Sequence, residues 1–269
     1  MELAGKTALV TGASRGIGRA IAMELAQQGM KRIVLTARNL QSLTEVATEL
    51  ESLGVEAVPL ALDLTQVKAV SISIARAWKD YGPIHLLVNC AGVAHQTPFL
   101  RSPISQVQAE INTNLLGLYT VTQLIGRRMA NVKEGSIVNV SSLMGKVAAP
   151  TMATYSATKF AIVGFTQALQ AELADHNVKV SVLLPSLTDT DMVRRFALFR
   201  GMMPVSAQRV AKALVCGLRR DASEIVVGWQ GRLALWGDRL APWLIKKIVR
   251  LLSPSIETRP FYRTVAESQ

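Results

Sequence analysis

The chain has 269 residues, of which 49% are hydrophobic and 18% are charged, so it has ample apolar material for a core and is not a disordered chain. Its two cysteines, Cys90 and Cys216, lack metal-ligand spacing and are too few for a disulfide scaffold, which indicates a reduced, intracellular protein. The formal net charge of +11 favours anionic partners, but no nucleic-acid-binding motif accompanies it, and we expect no nucleic-acid partner.

The N-terminal stretch MELAGKTALVTGASRG has no charged leader followed by a long apolar run, so no signal peptide is predicted. No stretch reaches the roughly 18 uninterrupted apolar residues of a membrane-spanning helix. We therefore expect a cytoplasmic protein, and peripheral attachment to a membrane through its C-terminal region is the open alternative.

Short β-branched runs alternate with longer helical segments along the chain. The predicted strands span residues 6–12, 32–37, 56–62, 84–92, 135–142, 179–185 and 224–228. The predicted helices span about 16–28, 40–53, 66–80, 105–131, 155–174 and 206–219. Continuously apolar strands are typical of a parallel sheet that helices cover on both faces. The alternation predicts a doubly wound, Rossmann-like sheet in a three-layer αβα sandwich, which forms a single domain over residues 1–269.

A glycine-rich loop follows the first predicted strand and opens the first helix. In TGASRGIG, Gly12, Gly16 and Gly18 permit a tight turn and the close approach of a diphosphate to the helix N-terminus, whose free N–H groups attract anions. An ordinary glycine turn is the alternative. The strand–loop–helix context favours a dinucleotide site.

The end of the second strand carries a basic residue at the place where dinucleotide folds that prefer NAD have an acidic residue. Ala37 is followed by Arg38, and Arg15 lies in the glycine loop. Two guanidinium groups can bind a 2′-phosphate through charge-assisted hydrogen bonds, which predicts NADPH/NADP+ as the cofactor. Asp63, after the third strand, could accept a hydrogen bond from the adenine amino group, or it could be a turn or helix-capping aspartate.

The stretch YSATK places Tyr155 and Lys159 one helical turn apart. A free tyrosine, with a pKa near 10, is a poor acid near neutral pH, and a neighbouring ammonium group would lower that pKa. If Tyr155 gives its proton to a substrate oxygen, Ser142, at the end of a strand, could offer its hydroxyl group to that oxygen as well. Asn114 is polar within a predicted helix, and a buried amide that bonds to the backbone is its alternative role.

Five motifs, TGASRGIG, NCAG, NTNLLG, VSS and YSATK, stand in an order and spacing that resemble the short-chain dehydrogenase/reductase family, in its short single-domain branch, over about residues 5–190. The resemblance implies a catalytic tetrad of Asn114, Ser142, Tyr155 and Lys159. Tyr155 would donate the proton, Lys159 would bind the nicotinamide ribose and tune Tyr155, and Ser142 would hold the substrate oxygen. Asn114 would anchor a water that links Lys159 to solvent.

The resemblance and the strand-end pattern together give a set of cofactor-binding residues. These are Gly12, Ser14, Arg15, Gly16, Ile17, Gly18, Arg38, Asp63, Asn89, Ala91, Gly92, Tyr155, Lys159, Pro185, Thr188 and Thr190. Within this set, Asn89 is expected to brace the central strands. The chain departs from the family pattern at Cys90, where a second asparagine is usual, and at Ser186, where glycine is usual.

The predicted lid segment, residues 191–206, is rich in Met and Phe and carries three arginines. Simple packing would explain such residues too. The predicted substrate-contacting residues are Ser142, Leu143, Met144, Leu187, Met192 and Phe196. They favour an apolar carbonyl substrate, first a 3-oxoacyl thioester on an acyl-carrier protein or coenzyme A, then a free sphingoid base, retinoid or steroid ketone. A non-catalytic NADPH-binding regulator is disfavoured because the tetrad is complete.

The C-terminal extension, residues 237–269, begins with an amphipathic stretch. Leu240, Trp243, Leu244, Ile248, Leu251 and Leu252 are predicted to share an apolar face, and Arg239, Lys246, Lys247 and Arg250 to lie away from it. Such a helix packs on its own domain or on a sister subunit, and the open alternative is that it rests on an anionic membrane. The resemblance also implies a homodimer or homotetramer joined through helices at about 105–131 and 155–174.

Overall fold

The structure is a computed structural model that describes residues 1–197, 199 and 201–254. Its strands are β1 (Thr7–Thr11), β2 (Arg32–Ala37), β3 (Glu56–Ala61), β4 (Leu86–Asn89), β5 (Gly135–Val140), β6 (Val178–Pro185), β7 (Thr188–Asp189), β8 (Val205–Ser206) and β9 (Glu224–Val227). Seven of them form one parallel sheet in the order β3-β2-β1-β4-β5-β6-β9, and β7 pairs with β8. The seven predicted strands are confirmed.

The helices are α1 (Gly16–Gln27), α2 (Leu40–Glu51), α3 (Val67–Tyr81), α4 (Ile104–Glu110), α5 (Leu118–Val132), α6 (Ala153–Glu172), α7 (Ala207–Arg219), α8 (Trp229–Leu240) and α9 (Pro242–Leu252). Helices α1, α2 and α7 bury apolar side chains in one core, and α3 and α5 do so in a second core. The sheet therefore separates two helical layers, and the predicted doubly wound αβα fold is confirmed.

The order of the sheet reverses between β1 and β4, since the chain winds outward from β1 to β3 and then returns to the other side of β1. In doubly wound sheets the crevice at this reversal, outside the carboxyl ends of the strands, is where ligands bind. Thr11 and Asn89 end the two strands in register there.

Strand β4 ends three residues earlier than predicted. The N–H groups of Cys90 and Ala91 donate to the Oγ1 atom of Thr11, at 3.0 and 3.1 Å, instead of continuing the sheet. Because a side chain of β1 takes these donors, residues 90–92 turn away from β4 into the crevice.

The helix predicted over residues 105–131 is interrupted. Helices α4 and α5 are joined by a wider π-helical segment, Ile111–Gly117, with Asn114 buried at its centre. Segments of this kind recur at functional sites. Gly117 permits close packing here, since a Cβ atom on it would lie 2.7 Å from Cβ of Leu64.

Two helices occupy the end of the described chain. Helix α8 was not predicted, and α9 begins at Pro242, a residue that suits the first turn of a helix. The two are separated at Ala241, whose φ of −145° and ψ of 68° lie outside the helical region because a proline disfavours the helical conformation in the residue before it. Residues 255–269 of the predicted C-terminal extension lie outside the described residues. No helix among those described is long and apolar enough to span a bilayer.

Candidate active site

A cavity of about 640 Å³ lies at the carboxyl ends of the central strands. Thirteen of the predicted cofactor-binding residues line it: Gly12, Ser14, Arg15, Gly16, Ile17, Gly18, Arg38, Asp63, Ala91, Gly92, Tyr155, Lys159 and Thr190. The structure thus brings together the glycine loop, the end of β2 and the first turns of α6, which are far apart in the sequence.

The glycine loop forms a cradle that side chains would fill. Gly12 has a φ of +68°, and a Cβ atom on it would lie 2.7 Å from Cα of Ala91. A Cβ atom on Gly18 would overlap the carbonyl group of Gly12. No side chain caps the N-terminus of α1. This cradle fits a dinucleotide diphosphate, because the uncapped N–H groups and the helix dipole favour an anion there.

The two arginines at the far end of the cavity are available to an anion. Arg15 and Arg38 are both exposed and both line the cavity. Among the described residues, neither guanidinium group has a hydrogen-bond or ion-pair partner. Asn39 caps α2, where its Oδ1 atom accepts from the N–H of Ser42 at 3.0 Å, and both of these residues line the cavity as well. The charge at this end fits a cofactor with a 2′-phosphate.

Asp63 forms the hydrogen bonds expected of a turn aspartate. Its Oδ1 atom accepts hydrogen bonds from the N–H and the hydroxyl group of Thr65, both at 2.9 Å, so it closes the turn that precedes α3. Because it also lines the cavity, its position suits the adenine contact as well.

Three predicted cofactor-binding residues do not line the cavity, and their contact with the cofactor stays a prediction. Asn89 is buried and donates to Oγ1 of Thr122 and Oδ1 of Asn139, both at 2.8 Å, so it braces β4, β5 and α5 as expected. Pro185 is buried at the end of β6, beside β9. The hydroxyl group of Thr188 is turned inward and donates to the carbonyl of Ser186 at 2.9 Å.

Tyr155 and Lys159 meet at the wall of the cavity. The Nζ atom of Lys159 lies 5.5 Å from the centroid of the Tyr155 ring and donates to the carbonyl of Val140 at 3.0 Å. The hydroxyl group of Ser142 accepts from the N–H of Met144 at 3.1 Å and lies close enough to Tyr155 to lower its pKa. These contacts hold an acid, a cation and a second hydroxyl group beside one another.

Asn114 is fully buried and fastens the loop that follows β4. Its Oδ1 atom accepts from the N–H of Val93 at 2.8 Å, and its Nδ2 atom donates to the carbonyl of Val93 at 2.9 Å. It also donates to the hydroxyl group of Thr158 at 3.2 Å. The amide is therefore satisfied by protein groups, and its proposed link to Lys159 through a water stays a prediction. Oδ1 of Asn114 and Nζ of Lys159 both lie close to Gly92.

Burial sets the protonation of this cluster. It raises the pKa of Tyr155 to about 12, more than the hydrogen bond with Ser142 lowers it, and the nearby Glu110 and Cys90 raise it further. It lowers the pKa of Lys159 to about 8, and it raises that of the Cys90 thiol to about 12. The expected lowering of the Tyr155 pKa is thus not found. The reason is that desolvation disfavours the phenolate and the ammonium alike.

Of the six predicted substrate-contacting residues, one lines the cavity and five lie outside its lining. Met192 lines the cavity, whereas Ser142 caps the 3-10 turn Leu143–Gly145, and neither Ser142, Leu143 nor Met144 lines the cavity. Leu187 and Phe196 do not line it. The carbonyl of Leu187 accepts from Val205 at 2.8 Å as part of the small β7–β8 pair, and the N–H of Phe196 closes a turn onto Val193 at 3.0 Å. Leu198 and Arg200 of the predicted lid segment lie outside the described residues.

Sequence reasoning missed two connections beside the cavity. The side-chain amide of Gln96 donates to the carbonyl of Ala197 at 3.0 Å and accepts from its N–H at 2.8 Å, so it ties the loop after β4 to the lid segment. Glu110, almost fully buried, accepts from the N–H of His95 at 2.6 Å and contacts the ring Nδ1 atom at 3.2 Å. Both pairs join residues without a motif, so no local pattern could have indicated them.

Both departures from the family pattern are accommodated. Ser186 is buried, has no positive φ, and its N–H donates to the carbonyl of Val227 at 3.3 Å, so glycine is not required there. The Cys90 thiol stays protonated because burial raises its pKa. Among the described residues, no cluster of His, Cys, Asp and Glu could hold a metal ion.

A glycine cradle for a diphosphate lines the same cavity as Tyr155 and Lys159, and Ser142 lies beside Tyr155. This arrangement defines a dinucleotide-dependent oxidoreductase acting on CH–OH or C=O groups. The family model that matches residues 6–199 is that of the short chain dehydrogenases. The chain therefore belongs to the short-chain dehydrogenase family.

Its relatives point the same way. It is 36% identical over 190 residues to a 3-oxoacyl-[acyl-carrier-protein] reductase of Synechocystis, which covers 71% of this chain and 77% of that protein. It is 34% identical over 238 residues to the FabG reductase of the same name from Pseudomonas aeruginosa, which covers 85% and 95%.

Solved structures share the whole fold. A short chain dehydrogenase from Burkholderia cenocepacia in complex with NADP has a TM-score of 0.82 at 29% identity and covers 94% of this chain and 100% of its own. One from Sphingobium yanoikuyae in complex with NADPH has a TM-score of 0.78 at 27% identity, with 89% and 95% covered. These neighbours and the free arginines of the cavity agree in supporting NADPH/NADP+ as the cofactor.

Proposed function

We propose that this oxidoreductase is an NADPH-dependent carbonyl reductase whose substrate is an apolar ketone, in the first place a 3-oxoacyl thioester carried on acyl-carrier protein or coenzyme A. The observation that carries the proposal is that Tyr155 and Lys159 line one cavity with the glycine cradle and the free arginines, and that Ser142 lies beside Tyr155. The names of the relatives support the thioester.

The residues of the chain would divide the work of a ketone reduction. When bound, the cofactor supplies a hydride to the carbonyl carbon. Tyr155 donates its proton to the carbonyl oxygen, and Ser142 holds that oxygen by a hydrogen bond. Lys159 is fixed by the carbonyl of Val140 and binds the nicotinamide ribose. Its charge stabilises the phenolate that Tyr155 becomes after it has donated its proton.

The cofactor end would be held by the remaining lining residues. The glycine cradle and the N-terminus of α1 bind the diphosphate, and Arg15 and Arg38 bind the 2′-phosphate. Thr190 lines the cavity beside Gly16, where a Cβ atom on the glycine would lie 3.3 Å from the threonine methyl group. Asn114 keeps Gly92 and Val93 in place and is the proposed anchor of a proton-relay water.

The basic surface suits an acidic carrier protein. The net charge of +11 would attract such a partner and speed its association. We propose that the protein works in the cytoplasm as a homodimer or homotetramer. Support comes from apolar side chains left exposed on α4–α6 and the segment between them, including Leu116, Tyr119 and Phe160.

A free lipophilic ketone, such as a sphingoid base, retinoid or steroid, is the second candidate substrate. It is favoured by the hydrogen bonds that join the lid segment to α8, a helix with exposed tryptophans: Gln230 bonds to Gly201 and Met203. A non-catalytic NADPH-binding regulator is disfavoured, because an acid, a cation and a hydroxyl group would not need to meet at the cavity of such a protein.

A substrate panel tests the function. With NADPH in excess, we expect acetoacetyl and longer 3-oxoacyl thioesters to be reduced faster than long-chain ketones, retinal, steroids and small aldehydes, because the relatives act on thioesters. The decrease in NADPH absorbance measures each rate. Faster turnover of a free lipophilic ketone would select the second candidate, and NADPH binding without turnover of any carbonyl would overturn the reductase proposal.

The pH dependence of reduction should report Lys159. Tyr155, with its pKa raised to about 12, keeps its proton throughout the usual range, whereas Lys159 loses its charge as the pH rises through about 8. Without that charge the phenolate is less stable, so kcat/KM for reduction should be level below about pH 7.5 and fall above about pH 8.5.

The control is Lys159→Arg, whose guanidinium group stays charged. Its kcat/KM is expected to be lower, but it should not show the fall near pH 8 when measured over the same range, from about pH 6.5 to about pH 10. A fall at the same pH in this variant would assign the ionisation to another group.

A further inference from the structure

Helix α8 carries a straight row of exposed apolar side chains. Trp229, Leu233, Trp236 and Leu240 follow one another at intervals of four, three and four residues and therefore lie on one side of the helix. Their exposed fractions are 55%, 61%, 64% and 80%. Gly231 alone in this helix is buried, on the side that faces the domain. Exposure of such a contiguous apolar surface to water is unfavourable, which indicates that another molecule binds to it.

Helix α9 extends this surface. Leu244, Ile248 and Leu251, spaced by four and three residues, are exposed, the last to 76%. Ile245, on another side, packs on α8, since a Cβ atom on Gly237 would lie 2.7 Å from its Cδ1 atom. The principal neighbour of α9 is α8. Trp243 is exposed on the side that Lys247 and Arg250 share.

Basic side chains border the apolar surface. Five exposed ones lie on the two helices: Arg232, Arg239, Lys246, Lys247 and Arg250. Asp238 is the one acidic residue between 229 and 254. We name the exposed apolar and basic side chains of α8 and α9 the hairpin face. No ion pair within the described part of the chain neutralises its basic groups.

The charge decides between two partners for this face. A second copy of the chain, related by a two-fold axis, would place these five cations against five identical ones, which is unfavourable. An anionic lipid surface would pair with them, and tryptophan side chains are enriched at the boundary between headgroups and acyl chains. We propose that the hairpin face binds the surface of an anionic lipid bilayer. This goes beyond the reductase function and does not depend on it.

The hairpin face is connected to the substrate end of the enzyme. The side chain of Gln230 donates to the carbonyl of Gly201 and accepts from the N–H of Met203, both at 3.0 Å, so the first turn of α8 is tied to the lid segment. Gly231 lies against Leu143 and Ser186. A bilayer bound to α8 would therefore lie beside the entry for an apolar substrate.

Sedimentation with lipid vesicles tests the proposal on the full chain. We expect the protein to bind vesicles that contain phosphatidylglycerol and to bind pure phosphatidylcholine vesicles weakly. The triple variant Lys246→Gln/Lys247→Gln/Arg250→Gln should bind the anionic vesicles about 100-fold more weakly, because each basic residue near an anionic surface contributes about fivefold. The matched control Arg76→Gln/Arg209→Gln/Lys212→Gln removes three exposed cations elsewhere and should bind like the parent.

The apolar row has its own variant and readout. Leu233→Ser/Trp236→Ser/Leu240→Ser should also lose vesicle binding, with an unchanged NADPH affinity as evidence that it folds. Three of the four tryptophans lie in α8 and α9, so anionic vesicles should shift the emission of the parent protein to shorter wavelength.

Two results would overturn membrane binding: no sedimentation with anionic vesicles, or a solution mass that falls when the apolar row is replaced, which would mean that a second copy covers the face. Tyr155→Phe, offered as the inactive enzyme, should bind vesicles like the parent. Membrane binding and catalysis therefore succeed or fail separately.

Discussion

Replacement of Tyr155 by phenylalanine is expected to lower kcat for ketone reduction about 10³-fold, the usual contribution of a positioned acid. The variant loses the hydroxyl group that Ser142 contacts and keeps the ring beside Lys159. NADPH affinity should be unchanged, because most of the cavity lining belongs to the cofactor end. Turnover is followed by NADPH absorbance and affinity by titration of NADPH fluorescence.

The matched control is Tyr119→Phe. Its ring packs against Phe165 at 5.4 Å between centroids on α5 and α6, away from the cavity, so the same atom is removed without touching the acid. The control should retain the parent kcat. Retained turnover in Tyr155→Phe would show that another group, or water, protonates the substrate, whereas loss of NADPH affinity would show a role in cofactor binding instead.

The sheet and the glycine loop could be predicted because their determinants are local. A buried parallel strand is a short apolar run, and a diphosphate cradle is a set of glycines at fixed spacing after such a run. Gly12 and Gly18 are both required by close contacts in the structure, at Ala91 and at the Gly12 carbonyl. Strand β4 ends three residues earlier than predicted because Thr11 of another strand takes its next two N–H groups.

The features that escaped prediction depend on contacts between distant parts of the chain. The π-helical segment around Asn114 accompanies bonds to Val93, and the lid segment is held by Gln96 through Ala197. The hydrophobic periodicity that predicts a helix carries no information about either contact. Helix α8 was missed because it carries large apolar residues on its exposed side, and Gly231 is its one buried residue.

The protonation of the site could not be predicted from residue types either. Tyr155 and Lys159 one turn apart suggest mutual stabilisation of a phenolate and an ammonium group. Their pKa values instead move apart, to about 12 and about 8, because both groups are desolvated by the fold. The protein alone therefore holds the tyrosine as an acid, which is the form that reduction needs.

The preference for NADPH over NADH should collapse in Arg38→Asp. The guanidinium group lies at the cavity end, exposed and without a partner among the described residues, so it is free to bind the 2′-phosphate. A carboxylate would repel that phosphate and accept a hydrogen bond from the 2′-hydroxyl group of NADH. Loss of a charge-assisted bond and gain of the other contact should change the ratio of kcat/KM for the two cofactors about 10²- to 10³-fold.

The effect should reside in cofactor binding alone. With either cofactor at saturation, kcat for the same ketone should stay close to the parent value, since Tyr155 and Lys159 lie at the other end of the cavity lining. Arg15→Asp should change the ratio in the same direction, because Arg15 is the second free cation of the cavity, while Arg76→Asp, which adds the same charge on α3, should leave it unchanged. If the ratio of kcat/KM for NADPH and NADH is unchanged in both Arg15→Asp and Arg38→Asp, the 2′-phosphate does not bind at this end of the cavity. That result would leave the glycine cradle as the part of the site that still argues for a dinucleotide.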